Sequence, residues 1–312
     1  MAAVGEDSGE AVLAPMVRLG TLPLRLLALE RGAALVYSEE IIDAKLAGST
    51  RTVDARLQTT DWRAGAGIVL RTCEAERGRL VVQLGTADVE GALSAIAALS
   101  FDDSDPLRDG IVGIDINMGC PKSSAMAGGS GSALFADAQR AERVVRAVRG
   151  ALPAAIRLSC KVRLHELGPA ETLRRCTGLV AAGASSIAIH ARRAEERSCD
   201  LARWSELAAV ARGLRECGAT VLLNGDVLDA VAASQLRKEV PNCRLMIGRG
   251  ALLAGIRPAR SLLPADCHAD GQAQYPYPDP ARNRIVRSIR RHWSVSRDSR
   301  RRDNGVQRRG EC

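Results

Sequence analysis

Aromatic side chains are scarce in this chain: Phe, Trp and Tyr make up 3% of its 312 residues. A core of that size must be assembled from Ala, Val, Leu and Ile, which suits folds whose parallel strands are buried on both faces. No apolar run reaches the length needed to cross a bilayer. Residues 1–10 are acidic and read as neither a secretory signal nor a basic transit peptide. The expectation is a chain free of membranes and working in the cytoplasm, with an arginine-rich nuclear address as the alternative. The nine cysteines contain no C-x-x-C pair and no zinc-type cluster. Their odd number without a secretory signal points to free thiols in a reducing compartment. A dinucleotide fingerprint is also missing. Its nearest candidate, residues 129–134, lacks the third glycine and does not directly follow a strand, which argues against a doubly wound sheet.

The net charge of +8 sits at one end. Residues 281–310 hold eleven arginines against Asp298 and Asp303, while the rest of the chain is close to neutral. Such a tail suits a polyanion such as RNA, or is simply a solvated disordered end.

What is present is a period. Short β-branched runs recur about every thirty residues, each followed by an amphipathic stretch. The runs are 11–14, 35–37, 80–84, 113–117, 158–162, 186–190, 220–224 and 244–247. Helices are expected from Pro23, with Leu24, Leu27 and Ala28 on one face, and at 88–100, 137–149, 170–182, 203–216 and 226–236. Ile68–Leu70 reads as a small hairpin arm onto the third barrel strand. Eight strand–helix units in about 250 residues are the (β/α)8 TIM barrel. The expected division is a disordered segment 1–10, a barrel over 11–262, and a Pro-rich then Arg-rich tail over 263–312, its Pro-rich part at 275–280.

The strand ends carry the polar groups. They are Pro15-Met16, Glu39-Glu40, Gln83, Asn117 with Cys120, Lys161 with Arg163, His190 with Arg192-Arg193, Asn224-Gly225 and Gly248-Arg249. Each alone is unremarkable, since a lone histidine or lysine is usually an ordinary core or rim residue. Eight polar strand ends facing one mouth make a site. Few carboxylates converge, so no metal centre is expected. The glycines after the seventh and eighth strands occupy the usual barrel position for a phosphate. The most distinctive turn is Asn117-Met118-Gly119-Cys120-Pro121-Lys122. Cysteines are mostly inert filling, but one in a Gly/Pro turn beyond a strand is placed for chemistry.

These residues resemble the tRNA-dihydrouridine synthases, most closely the eukaryotic dihydrouridine synthase 2-like branch, the tRNA-dihydrouridine(20) synthases. The resemblance rests on LAPMVRLGTLPLRLLALERGA at Leu13–Ala33, VYSEEIIDAKL at Val36–Leu46 and RTCEAERGRLVVQLGTAD at Arg71–Asp88. It continues through GIDINMGCPK at Gly113–Lys122, CKVR at Cys160–Arg163, AIHARRAEER at Ala188–Arg197 and VLLNGD at Val221–Asp226. What it implies is an FMN enzyme that reduces a D-loop uridine of tRNA (position 20) and takes its electrons from NADPH or NADH; a monomer is expected. Pro15 and Met16 would pack on the flavin, and Gln83 and Lys161 would hydrogen-bond its pyrimidine side. His190, Asn224, Gly225, Gly248 and Arg249 would surround the ribityl phosphate. Asn117 would orient the uracil, and Lys122, Arg163, Arg192 and Arg193 would meet the nucleotide. Hydride would pass to uracil C6, with Cys120 delivering the proton to C5. A flavin barrel acting on a small molecule and a weakly active tRNA-binding remnant are the competing readings. The family's helical domain is not recognisable after Leu262.

Overall fold

A computed structural model describes residues 11–253. The expected segments 1–10 and 263–312, and the last part of the expected barrel domain, lie outside these residues. The elements run β1 (Ala11–Leu13), α1 (Leu22–Glu30), β2 (Leu35–Ile42), α2 (Asp43–Ala47), β3 (Thr50–Asp54), β4 (Thr59–Ala64), β5 (Gly67–Cys73), β6 (Leu80–Gly85), α3 (Val89–Leu99) and β7 (Ile111–Met118). They continue with α4 (Ser123–Ala127), α5 (Ser132–Ala136), α6 (Ala138–Ala151), β8 (Arg157–Arg163), α7 (Pro169–Ala181) and β9 (Ser186–His190). The described chain closes with α8 (Trp204–Glu216), β10 (Thr220–Asn224), α9 (Ala230–Glu239), β11 (Arg244–Ile247) and α10 (Arg249–Leu253).

Eight parallel strands close in the order β1-β11-β10-β9-β8-β7-β6-β2, the expected TIM barrel. Burial on both faces explains their composition, since all eight residues of β7 and all six of β6 are buried. The helices cover the barrel with one apolar stripe each. On α6 that stripe is Ala141, Val144, Val145 and Val148, with charges outward. Its first turn is fixed by Asp137, whose carboxylate accepts the Arg140 backbone N–H at 3.0 Å. Asp88 caps α3 in the same way through Gly91, and Asp229 caps α9 through Ala232.

Two expectations require correction and a third an addition. Ile68–Leu70 belongs to β5, which pairs with β4 and not with the barrel. The segment is part of an antiparallel β3-β4-β5 sheet inserted between the second and third barrel strands. That sheet is anchored to the helix layer by Trp62, fully buried, whose indole N–H donates to the Ala98 carbonyl of α3 at 3.0 Å. On α1 the expected Leu24 and Ala28 do pack against the main core, but Leu22, Arg25, Leu26 and Leu29 are buried more deeply, Leu22 and Leu26 in a separate small cluster with Cys73. And α9 begins at Ala230, four residues late, because Asp226 adopts a left-handed conformation (φ 53°) and its carboxylate is engaged by two arginines. Among the described residues no helix is long and apolar enough to cross a membrane.

Candidate functional site

The turn after β7 is built by its own side chains. Asn117 Oδ1 accepts the backbone N–H groups of Gly119 at 3.0 Å and Cys120 at 3.1 Å. This is a local side-chain-to-backbone brace of the kind asparagine favours at turns. On the other side Gly131 (φ 61°) closes onto the same residue. A Cβ there would lie 2.5 Å from the Cys120 carbonyl oxygen and 2.9 Å from its Cβ. That oxygen also accepts the Ser132 N–H at 3.0 Å. The glycine-rich loop, unremarkable as sequence, is therefore the clamp that holds Cys120. The residue is partly exposed, whereas Cys73, Cys160, Cys176 and Cys243 are buried. Burial drives the Cys160 thiol well above its ordinary range and that of Cys176 to about 12.

Beside this turn, a cavity of about 170 Å3 opens at the ends of β1, β8, β9, β10 and β11. It is lined by Pro15, Met16, Lys161, His190, Asn224, Gly225, Gly248 and Arg249, eight of the nine residues expected to bind the cofactor. Gly225 (φ 124°) lets the chain turn where a Cβ would lie 3.3 Å from Ala202 and 3.4 Å from Ala191. Asn224 is held by its amide N–H to the Met246 carbonyl at 2.8 Å. His190 Nδ1 is buried and has no hydrogen-bond partner among the described residues. Burial, followed by the charges of Lys161, Arg163, Arg192 and Arg249, pushes this imidazole down to about 2.

His190 should therefore stay neutral across the physiological range. The unfolded histidine takes up a proton near pH 6.5 and the folded one does not. Its contribution to stability is complete above that value and declines as pH falls below it. One of the four histidine ring signals should stay fixed between pH 8 and 5 in an NMR titration and vanish in His190→Gln. A His190 signal with a midpoint near 6.5 would contradict the desolvated, cation-flanked imidazole.

Gln83 lies one layer below the cavity, inside the barrel. Its amide N–H donates to Asp115 Oδ2 at 2.8 Å, and Ser159 donates to Asp115 Oδ1 at 2.5 Å. Lys161 is half-buried, and its loss of hydration pushes its ammonium down to about 8, with Arg163 adding to the effect and Asp115 opposing it. Burial likewise raises the Glu40 carboxyl, against its hydrogen bond with Asn117.

The residues expected to meet substrate are divided by the structure. Lys122 is exposed just beyond Cys120. Arg163 is half-buried and bridges two loops, its Nε donating to the Gly119 carbonyl at 2.8 Å and its NH1 to that of Arg193 at 2.9 Å. Arg193 pairs with Glu206 at 3.1 Å. Arg192 is not presented at the mouth: its side chain is 3% exposed, paired with Asp226 at 2.5 Å and donating to the Asp200 carbonyl at 2.6 Å. Arg249 pairs with the same aspartate at 2.7 Å but is 51% exposed, so it can exchange that partner for a ligand.

Two site residues were not singled out from the sequence: Asp115 and Asp226. The first had a signal, a lone carboxylate inside the apolar run Ile111–Ile116, which calls for a buried partner. Among the described residues no group of three or more His, Cys, Asp or Glu is placed to hold a metal ion.

Comparison with known proteins adds a family to this geometry. A sequence model described as Dihydrouridine synthase (Dus) matches residues 12–274. The tRNA-dihydrouridine(20) synthase [NAD(P)+] of Schizosaccharomyces pombe is 34% identical over 228 residues, 71% of this chain and 46% of that one. Its counterpart in Saccharomyces cerevisiae is 34% identical over 234 residues, covering 71% and 58%. This chain thus spans about half the length of these two relatives. Among solved structures, DHODH from Eimeria tenella in complex with ferulenol superposes with a TM-score of 0.50 at 10% identity, over 81% of this chain and 80% of that one, a likeness of fold alone.

Proposed function

The chain belongs to the dihydrouridine synthase family, and from that premise we propose that it reduces a uridine of tRNA, at position 20, to 5,6-dihydrouridine. The cofactor in this reading is flavin mononucleotide, seated in the cavity beside Cys120, with NADPH or NADH as reductant. One observation carries it: a buried histidine nitrogen without a partner, a half-buried lysine and two glycine turns line a cavity next to a braced, partly exposed cysteine. The donor set fits the group. Gly225, Gly248 and Arg249 suit a phosphate, His190 and Asn224 suit a polyol chain, and Met16 with Pro15 offers an apolar wall. Lys161 and Gln83 are the polar ends left for the ring.

When bound, the flavin supplies the hydride for uracil C6. This chain's own part is the proton. Cys120 S–H gives its hydrogen to C5 as the C5–C6 double bond is lost, and the thiolate regains a proton from water. Asn117 holds Cys120 at its post by accepting two consecutive backbone N–H groups. Lys122 and Arg193 lie around the mouth, where tRNA phosphates would pass. The target base must leave its stack to enter, as in other enzymes that act on a base.

The test is one preparation. The purified protein should be yellow, and anaerobic NADPH should bleach it. Adding unmodified tRNA should restore the colour and convert one uridine, read by alkaline cleavage at the modified position. A colourless protein would end the reading, and so would reoxidation indifferent to tRNA, which would point to a small-molecule substrate.

A further inference from the structure

We propose that Asp115 is a positioning residue of the cofactor site: its carboxylate turns the Gln83 amide and serves as the counter-charge of half-buried Lys161. The inference rests on the reading above, that the cavity lined by Lys161 holds the cofactor. Strand register sets the arrangement. Asp115 on β7 is paired with Gln83 on β6 and with Ser159 on β8, and Lys161 follows two residues after Ser159 on the same face. Asp115 is fully buried, and its carboxylate accepts hydrogen bonds from Gln83 Nε2 and Ser159 Oγ, both uncharged donors. Ser159 also meets the hydroxyl of Tyr37, which reaches it across the barrel interior from β2.

A carboxylate in that position is costly and contributes no apolar packing. It has two consequences that a leucine would not. Because it only accepts, Gln83 must give it the NH2 end, and the carbonyl oxygen is the end left for a ring N–H. Because it is negative, it opposes the forces that would discharge Lys161. Burial and Arg163 act against the ammonium, while Asp115 and Cys120 act for it. His190 faces Lys161 from β9 and stays neutral, so it offers no negative charge. Burial raises Asp115 itself to about 6, which still leaves it ionised at pH 7.

The chain makes the test simple, for it contains only four lysines, at positions 45, 122, 161 and 238. With lysine labelled at Cε by carbon-13, four signals can be titrated in the flavin-free protein, and Lys161→Gln identifies the one of interest. The native signal should titrate near pH 8. In Asp115→Asn, which keeps an acceptor for Gln83, the midpoint should fall by about one pH unit or more. Ser159→Ala strips one donor from the carboxylate and should move the midpoint in the same direction by less, a second route should Asp115→Asn fold poorly. In the flavin-loaded protein, Asp115→Asn should weaken flavin binding by about twofold at pH 7 and by about tenfold at pH 9, as fewer lysines stay charged, and this loss should disappear in the Lys161→Gln background. A Lys161 midpoint unmoved by both substitutions would overturn the inference, as would an equal loss of binding with and without Lys161. A native chain that takes up no flavin would remove the functional reading instead, and the lysine titration would still decide the Asp115–Lys161 coupling.

Discussion

Cys120→Ser should lower uridine reduction by about 10²- to 10⁴-fold, the usual range for losing a positioned general acid. That is about 3–5 kcal/mol of barrier. The substitution leaves the turn intact, because the groups that brace it are backbone atoms of residues 119 and 120 and the Ser132 N–H. What changes is acidity, since thiols ionise near pH 8.5 and an aliphatic hydroxyl is a far weaker acid. Flavin content and visible spectrum should be those of the native protein, because no cavity-lining group is altered. Single-turnover mixing of pre-reduced enzyme with tRNA isolates the step. Cys160→Ser is the matched control: that side chain is fully buried, so its loss should be felt in stability and leave turnover near native. Native turnover in Cys120→Ser would transfer the proton's source to another group, and the exposed ammonium of Lys122 would be the next to test.

How much of this was legible beforehand depended on whether a residue's neighbours are local. Barrel strands announce themselves because burial on both faces demands continuous apolar runs, and their polar ends follow directly in the chain. Thus Pro15, Lys161, His190, Asn224 and Gly248 could be gathered into one site without coordinates. The inserted sheet could not, because β3 and β4 read TRTVD and TTDWRA, polar segments without clean alternation. The second buried face of α1 was missed for a related reason: hydrophobic periodicity counts an arginine as outward, and Arg25 is inward. Arg192 and Arg249 read as free cations because their shared partner, Asp226, is 34 and 23 residues away. Pairing of that kind is a product of the closed barrel, which brings the loops after β9, β10 and β11 together.

Glu76→Gln should be the most destabilising single change outside the core, about 3–5 kcal/mol. Glu76 lies in the turn before β6 and takes Arg25 in a two-pronged grip, Nε to Oε1 at 2.6 Å and NH2 to Oε2 at 2.9 Å. Both side chains are out of water, at 3% and 0% exposure. The glutamine keeps the shape but removes the charge and sets an NH2 against a guanidinium, leaving a buried cation without its anion. Arg25 also donates to the Gly20 carbonyl at 2.8 Å and the Arg71 carbonyl at 2.7 Å, so it ties α1 to the loop after β1 and to β5. For that reason the double change Arg25→Met with Glu76→Leu should recover only part of the loss. It abolishes the unpaired charge but orphans two carbonyl groups. At about 2–4 °C per kcal/mol for a domain of this size, Glu76→Gln should lower the melting temperature by about 6–20 °C, with the double variant in between. Because the pair touches none of the cavity-lining side chains, the rate of uridine reduction by folded Glu76→Gln at low temperature should stay within a few-fold of native. A melting temperature unchanged by Glu76→Gln would mean that water reaches the pair and that α1 is held by Leu22, Leu26 and Leu29 alone.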